Sequence, residues 1–465
     1  MPQQNQPDAP EPSIDDLARE YGPEHPRVIA ARLDEADDIG EAGDPARAAA
    51  LYEQLIADCT RIGGPDHQVT LVARNDHANW VGKSGDEARA AALFAALATD
   101  MRRVYGPDDP NTLAVRAGAG GWHLRAGQTR QAAQVYGELV PALVRALGDD
   151  DPQVLDARSA LAAALRDQDR LAEAVEVYEQ LLPAQLRVLG ADSPLLMATR
   201  ETYAAVLGRL GRADAALQVY QGLAADEVRL RGPHGPETMT VRHELAYWML
   251  RTGHLDDAIA AFGAVAGDRE QTLGQDHPDT LTSLEWLGQA YALADRAAET
   301  ADVYARVVAA RTQASGPDDP ETLRCRSVLA VWRLLAGQTR QGLDELERLI
   351  VDDDRVFGPD DPQTLRDRYN HAYQLGYHGA QNRAKDLFET LIADQSRLFG
   401  PTDPSTLLSR HEYARLVGAL GDRAQAILLM EAVLADKEQA LGSDDESTAA
   451  TRSQLEALRA GEPQG

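Results

Sequence analysis

The sequence predicts an all-α solenoid of about ten helix-turn-helix repeats closed by one C-terminal capping helix. Three observations predict it. Eleven glycines stand in one register, Gly22, Gly64, Gly106, Gly148, Gly190, Gly232, Gly274, Gly316, Gly358, Gly400 and Gly442, each 42 residues from the next. A helix-start signal and a turn signal recur at fixed offsets from each glycine. The segment after the turn carries apolar residues at helical spacing.

The elements follow in order, with each register glycine as position zero. Residues 1–13 are rich in Pro and Gln and have neither the basic start nor the apolar run of a signal peptide, so a disordered tail is expected. The repeat array occupies 14–441. Its first helix, A, opens at position 4, where Pro26, Pro110, Pro152, Pro320, Pro362 and Pro404 stand, mostly behind an aspartate such as Asp109, Asp151 or Asp361. Aspartate as N-cap with proline at the first helical position is a strong start. Helix A should run about 16 residues to a turn at position 21, which holds Gly43, Gly85, Gly127, Gly211 and their counterparts, with Asp169 and Asp295 as exceptions. Helix B then runs about 17 residues. It carries alanine at position 26 (Ala48, Ala90, Ala132, Ala174) and an aromatic at position 30 (Tyr52, Phe94, Tyr136, Tyr178), while helix A carries Ala36, Ala78, Gly120 and Ala162 at position 14. Small residues let the two backbones approach. The last period, 442–459, has only a helix A and should cap the array, and 460–465 should be a disordered tail.

The small residue of helix A, the turn glycine, and the alanine and aromatic of helix B together resemble the tetratricopeptide repeat. The run Gly316-Pro317-Asp318-Asp319-Pro320-Glu321-Thr322-Leu323, continuing to Arg326, Leu329 and Ala330, resembles the long, kinesin-light-chain-like bacterial form of that family. The resemblance covers about residues 14–460. It implies a right-handed superhelix with helix A lining its concave side, and it implies binding of a protein or peptide there. In this family positions 8, 11, 12, 15 and 19 of helix A face the groove. The groove candidates are therefore Asn75, Asn79 and Lys83 in the second repeat, His243, Tyr247 and Arg251 in the sixth, and Trp286 and Gln289 in the seventh. The ninth adds Tyr369, Asn370, Tyr373 and Tyr377, and the tenth His411 and Arg415. Asn75 and Asn370 match the segment whose asparagine holds peptide backbone in related repeats.

A position that is alike in every repeat serves what every repeat needs, which is structure. Arginine fills position 10 in every unit from Arg32 to Arg452 except the seventh, where Leu284 stands. The ladder reads as salt bridges between repeats, to helix B acids such as Asp58, Asp100, Asp226, Asp268, Asp352, Asp394 and Asp436, rather than as a basic spine for a partner. The acidic loops, such as Asp108-Asp109 and Asp360-Asp361, read as N-caps. Trp80, Trp122, Trp248 and Trp332 share position 16 and read as packing residues, as do His77 and His371 at position 13. Pro141 and Pro183 fall inside helix B of the third and fourth repeats, which predicts a change of curvature or a flexible point within 115–190.

The net charge of −28 argues against nucleic-acid phosphates and suits a basic or amphipathic partner. No run of about 18 apolar residues is present, so no membrane span is expected. Cys59 and Cys325 make no metal-ligand pattern, which points to a reducing, cytoplasmic setting. No phosphate loop, HExxH or GxSxG pattern occurs. His25 and His277 stand where aspartate caps elsewhere. No cofactor or metal is expected. The function expected is a non-catalytic scaffold for another protein or peptide. The alternatives are self-association into a homo-oligomer, and an enzyme or small-molecule binder in the hollow of the solenoid, for which His243, Glu244 and Tyr247 would be the acid–base candidates.

Overall fold

A computed structural model describes residues 13–460, and these form helices joined by short turns, without a strand. The expected disordered ends, apart from residues 13 and 460, lie outside the described residues. The short helix α1 (Ile14–Tyr21) comes first. In register it matches the last two turns of a helix B. Ten hairpins follow: α2 (Pro26–Glu41) with α3 (Pro45–Gly63), α4 (Gln68–Lys83) with α5 (Glu87–Tyr105), α6 (Pro110–Arg125) with α7 (Thr129–Leu147), α8 (Pro152–Asp167) with α9 (Leu171–Leu189), and α10 (Pro194–Arg209) with α11 (Ala213–Arg231). Then come α12 (Pro236–Arg251) with α13 (Leu255–Leu273), α14 (Pro278–Leu293) with α15 (Ala297–Ser315), α16 (Pro320–Leu335) with α17 (Thr339–Val356), α18 (Pro362–Tyr377) with α19 (Gln381–Leu398), and α20 (Pro404–Ala419) with α21 (Arg423–Ala440). A single helix A, α22 (Glu446–Ala460), ends the described chain. The chain forms two compact units, Met1–Asp226 and Glu227–Gly465, which divide within α11. Helices adjacent in sequence pack on one another from α1 through α10 in the first unit and from α12 through α22 in the second.

The local chemistry explains the boundaries. Asp109, Asp151, Asp361 and Asp403 each accept a hydrogen bond from the backbone N–H two residues on, at 2.8–2.9 Å. Where histidine stands instead, in His25, His67 and His277, the ring Nδ1 accepts the same bond at 3.2–3.3 Å. The turn at position 21 needs a left-handed backbone. Glycine supplies it in most repeats, and Asp169 and Asp295 adopt it at φ 60° and 55°. The alanines at positions 14 and 26 are fully buried, as at Ala36, Ala48, Ala246 and Ala258, under aromatic rings such as Tyr52 and Phe262. At Gly120 a Cβ would lie 2.7 Å from the Tyr136 ring, so only glycine allows that approach. Trp80 and Trp122 are buried between repeats, each over a glycine of the preceding helix A. A Cβ on Gly40 or Gly82 would meet the indole at 2.5 or 2.4 Å. Trp332 is half-buried.

Pro141 and Pro183 stand inside helices that run on past them. Both α7 and α9 run 19 residues, the length of the proline-free α5 and α13. Each proline is exposed, as are Gly137 and Glu179 four residues earlier, so water can reach the carbonyl that each proline leaves unbonded. One expectation changes. The arginine ladder joins the expected acids within a hairpin, and Arg368 and Arg452 also reach back to Asp354 and Glu438 of the preceding repeat. Seven of its arginines, Arg32, Arg74, Arg200, Arg242, Arg326, Arg368 and Arg410, bond the aspartate 26 residues on, at 2.6–3.3 Å, tying helix A to helix B of the same unit. In the seventh unit Leu284 faces a position 36 that has become Ala310, so both charges are lost together. A second set of bridges, absent from the sequence reading, binds the acidic loops to the end of helix B. Arg103, Arg187, Arg355 and Arg397 reach Asp66, Asp150, Asp318 and Asp360 at 2.5–2.6 Å. These are exposed and contribute about 0–1 kcal/mol each.

The ladder bonds are half-buried, which makes them testable. Asp436→Ala should lower the stability of the second unit by about 1–2 kcal/mol, because Arg410 loses its carboxylate partner and keeps only the Pro401 carbonyl. The double variant Arg410→Leu/Asp436→Ala, copying the seventh unit, should recover most of that loss in urea unfolding.

Candidate functional site

Residues that vary from repeat to repeat on helix A are the candidates for recognition, and they divide by burial. In the sixth and seventh repeats, Tyr247 on α12 and Trp286 on α14 meet edge to face at 5.1 Å, and Tyr247 also meets Trp248 at 5.2 Å. Both Tyr247 and Trp286 are half-buried. Trp286 in turn stacks on the buried Phe262 at 6.2 Å, so the core aromatic fixes the outer one. Arg251, one turn along α12, holds its guanidinium 5.9 Å over the Tyr247 ring and donates to its hydroxyl at 3.3 Å. Gln289 is exposed on the next turn of α14. The structure therefore brings Tyr247, Arg251 and Trp286 into one patch with an aromatic body and polar tips.

In the ninth repeat Tyr369 and Tyr373 stack at 6.1 Å on α18, and Tyr369 lies edge-on to the buried Phe388 at 5.6 Å. Tyr377 is 72% exposed and its ring meets His378 instead. Asn370 is turned inward and donates to Asp367 at 3.4 Å. In the tenth repeat Arg415 is bound to Glu412 at 2.8 Å. In the second repeat Asn75 donates to Asp76 at 3.0 Å, and Asn79 is half-buried beside it. The ammonium of Lys83 sits 3.9 Å over the Trp80 ring. Asn75 also lines a cleft of about 450 Å³ with Leu71, Val72, Met101, Tyr105 and Val115.

His243 and His411 are corrections. Both are buried, with Nδ1 against the hydroxyl of the next repeat, Ser283 at 3.2 Å and Thr451 at 3.1 Å. Position 11 lies at the seam between repeats; the two imidazoles pack into it, whereas Tyr369 at the same position stays half-exposed. Burial, and then the Arg269 charge, push the His243 pKa down to about 4. Near neutral pH His243 is therefore an uncharged packing group, poorly matched to acid–base work with Glu244 and Tyr247. His77 and His371 are buried as expected.

The seams hold a feature that the sequence reading missed. Position 37 of each helix B is Cys59, Met101 and Leu143 in the first three hairpins. In later ones it is Gln185, Glu227, Arg269, Arg311, Asp353, Gln395 and Lys437. Arg269 donates to Ser283 at 2.8 Å, Arg311 to Glu285 at 2.6 Å, and Lys437 to Thr451 at 3.0 Å. Burial pushes the Cys325 thiol up to about 11 beside Glu285, so it is an un-ionised packing group. Reading position 37 as a column, rather than each helix as a stripe, shows the change from apolar to polar. Among the described residues no group of three or more His, Cys, Asp or Glu is placed to hold a metal, and no helix is long and apolar enough to cross a membrane.

Tetratricopeptide-repeat family models match residues 153–223 and 238–279. Among solved structures, the chain is similar to a putative kinesin light chain from Podosopora anserina with nearly identical tetratricopeptide-like repeats, at 26% identity over 44% of this chain and 97% of that one, with a TM-score of 0.40. It is similar to BtubC from P. vanneervenii at 20% identity, over 50% of this chain and 92% of that one, with a TM-score of 0.37. The C-terminal part of a repeat protein from Cytophaga hutchinsonii matches at 14% identity, over 62% of this chain and 97% of that one, with a TM-score of 0.43. None of the curated proteins compared with the sequence matches it.

The buried imidazole sets a pH dependence. The folded pKa of His243 lies below the ordinary value of about 6.5, so its contribution to stability is complete above that value and is lost as pH falls toward about 4. Acid titration of thermal unfolding should show this loss, and His243→Asn should flatten that part of the profile.

Proposed function

The chain is a tetratricopeptide-repeat protein, and we propose that it serves as a non-catalytic scaffold that binds a peptide or helix of another protein on the helix A face of its second unit. The observation that carries this is the patch of Tyr247, Arg251 and Trp286. Trp286 is fixed from below by Phe262, and Tyr247 is held against Trp286 and Trp248, yet both are half-exposed, at positions that differ from repeat to repeat. Rigid aromatic groups with polar edges, and arginine, bind partners at small entropic cost. The stacked pair Tyr369 and Tyr373 offers the same chemistry two repeats on. The repeat-invariant residues, by contrast, are committed to alanine–aromatic packing and to the arginine–aspartate bonds.

The net charge of −28 favours a basic or amphipathic partner over an acidic one. The invariant arginines do not offset this, because seven of the ladder are already bound to aspartate. Selection of a displayed random peptide library on the purified chain should enrich basic sequences with one or two large apolar anchors. Tyr247→Ala or Trp286→Ala should weaken the selected peptides by roughly tenfold or more, without changing the melting temperature by more than a few degrees. Peptides that bind both variants as tightly as the parent would contradict the assignment.

A further inference from the structure

Three consecutive aspartates lie near the end of α17. The outer two are paired, Asp352 with Arg326 and Asp354 with Arg368, each at 2.8 Å. Asp353 between them is fully buried, and neither of its carboxyl oxygens has a hydrogen-bond partner among the described residues. It sits at position 37, against the next hairpin, and faces the carboxyl of Asp367 on α18. Asp367 is also fully buried, but it is well supplied with donors. The Ser327 hydroxyl and the Asn370 amide donate to Oδ1, and Gln363 Nε2 donates to Oδ2 at 2.6 Å.

Two neighbouring carboxylates, both out of water, repel each other and lose their hydration. A proton on one turns the repulsion into a hydrogen bond. Among the described residues three donors face Asp367 and none faces Asp353, so the bare Asp353 is the one suited to be the acid. We propose that Asp353 and Asp367 hold one proton between them, and that loss of this proton loosens the seam between the eighth hairpin (α16, α17) and the ninth (α18, α19). The seam thereby becomes a proton-operated joint on the helix that carries Tyr369, Asn370 and Tyr373. The proposal rests on the seam alone and stands whether or not those tyrosines bind a partner.

The charged neighbours do not supply the missing compensation. From α16, Arg326 faces the pair but is shared between Glu345 and Asp352 at 2.8 Å each. From α17, Asp352 adds to the repulsion. From α18, Arg368 is taken by Asp354 and Asp394. Burial first, and the Asp367 charge second, push the Asp353 carboxyl up to about 7. This lies above the ordinary unfolded value of about 3.9, so between the two values the folded chain holds a proton that the unfolded chain has released. The stabilisation is therefore complete below about pH 4, falls as pH rises through about 7, and is gone above it. The direction is opposite to that of His243, so the two titrations are distinguishable in one protein.

Hydrogen exchange of the full chain, corrected for the intrinsic pH dependence of amide exchange, tests this. Peptides from α17 and the first half of α18 should lose roughly tenfold in protection between about pH 6 and pH 8, while peptides from the apolar seam between α5 and α6 should not. Asp353→Asn, a neutral stand-in for the protonated acid, should keep protection high and flat across that range. An infrared band of a protonated buried carboxyl should disappear over the same pH range in the parent and be missing from Asp353→Asn, a readout that does not depend on the variant's stability. Protection of α17 and α18 that is independent of pH in the parent would overturn the proposal, as would an unchanged pH dependence in a folded Asp353→Asn.

Discussion

Close approach of helix A to helix B is the constraint on which the structure rests. A hairpin of two helices can enclose its own apolar stripe only if the backbones nearly touch. Here that is achieved by fully buried alanine or glycine on both helices under one aromatic ring, as with Ala246, Ala258 and Phe262. The turn between the helices must be short and must pass through a left-handed residue, which Gly253, Asp169 and Asp295 supply. In seven of the ten hairpins an arginine–aspartate bond then closes the pair on a more exposed side, as Arg242 does with Asp268 at 2.6 Å. These are tasks within a single hairpin, which is why each recurs every 42 residues.

Stacking of hairpins is a separate problem, solved differently along the chain. In the first unit the seams of the early hairpins are apolar, with Cys59, Met101 and Leu143 at position 37. In the second unit the same place holds Arg269, Arg311, Asp353 and Lys437, each buried or half-buried against the next repeat. A buried charge is strongly disfavoured unless it is met by a suitable partner, so each polar seam accepts few neighbours. Arg269 meets Ser283 and Lys437 meets Thr451, whereas Asp353 meets another acid. The apolar seams hold the array together without such selectivity. The polar ones bond particular groups of the next hairpin, as Arg269 does with Ser283 and Lys437 with Thr451, and in one place link the stack to pH.

Much of this was legible in the sequence, because periodicity exposes whatever each hairpin requires. The helix starts at Asp109 or Asp361, the left-handed turns, the alanine–aromatic contacts and the acids that meet the arginine ladder could all be read from the register. The ladder's direction could not, since the acid 26 residues ahead in the same hairpin and the acids of adjacent hairpins are equally compatible with the spacing. His243 and His411 looked outward because position 11 varies. They are buried because it borders the next repeat's position 9, a contact set by the stacking offset rather than by any one helix. The seam residues escaped notice because a lone Arg269 or Asp353 in a helix reads as surface. Pro141 and Pro183 did not break their helices because they lie on the exposed side, a matter of facing that the residue type does not reveal.

The central claim is that invariant positions close each hairpin, while the seams only have to match their immediate neighbours. Excising one whole period most directly tests it. Deletion of residues 64–105 would bring Leu33 and Cys59 of the first hairpin against Val115 of the third, joining two apolar seams in register. The account predicts a folded chain with helicity reduced in proportion to the length removed and a cooperative unfolding transition retained. Loss of helicity well beyond the excised segment, or loss of cooperative unfolding, would contradict it.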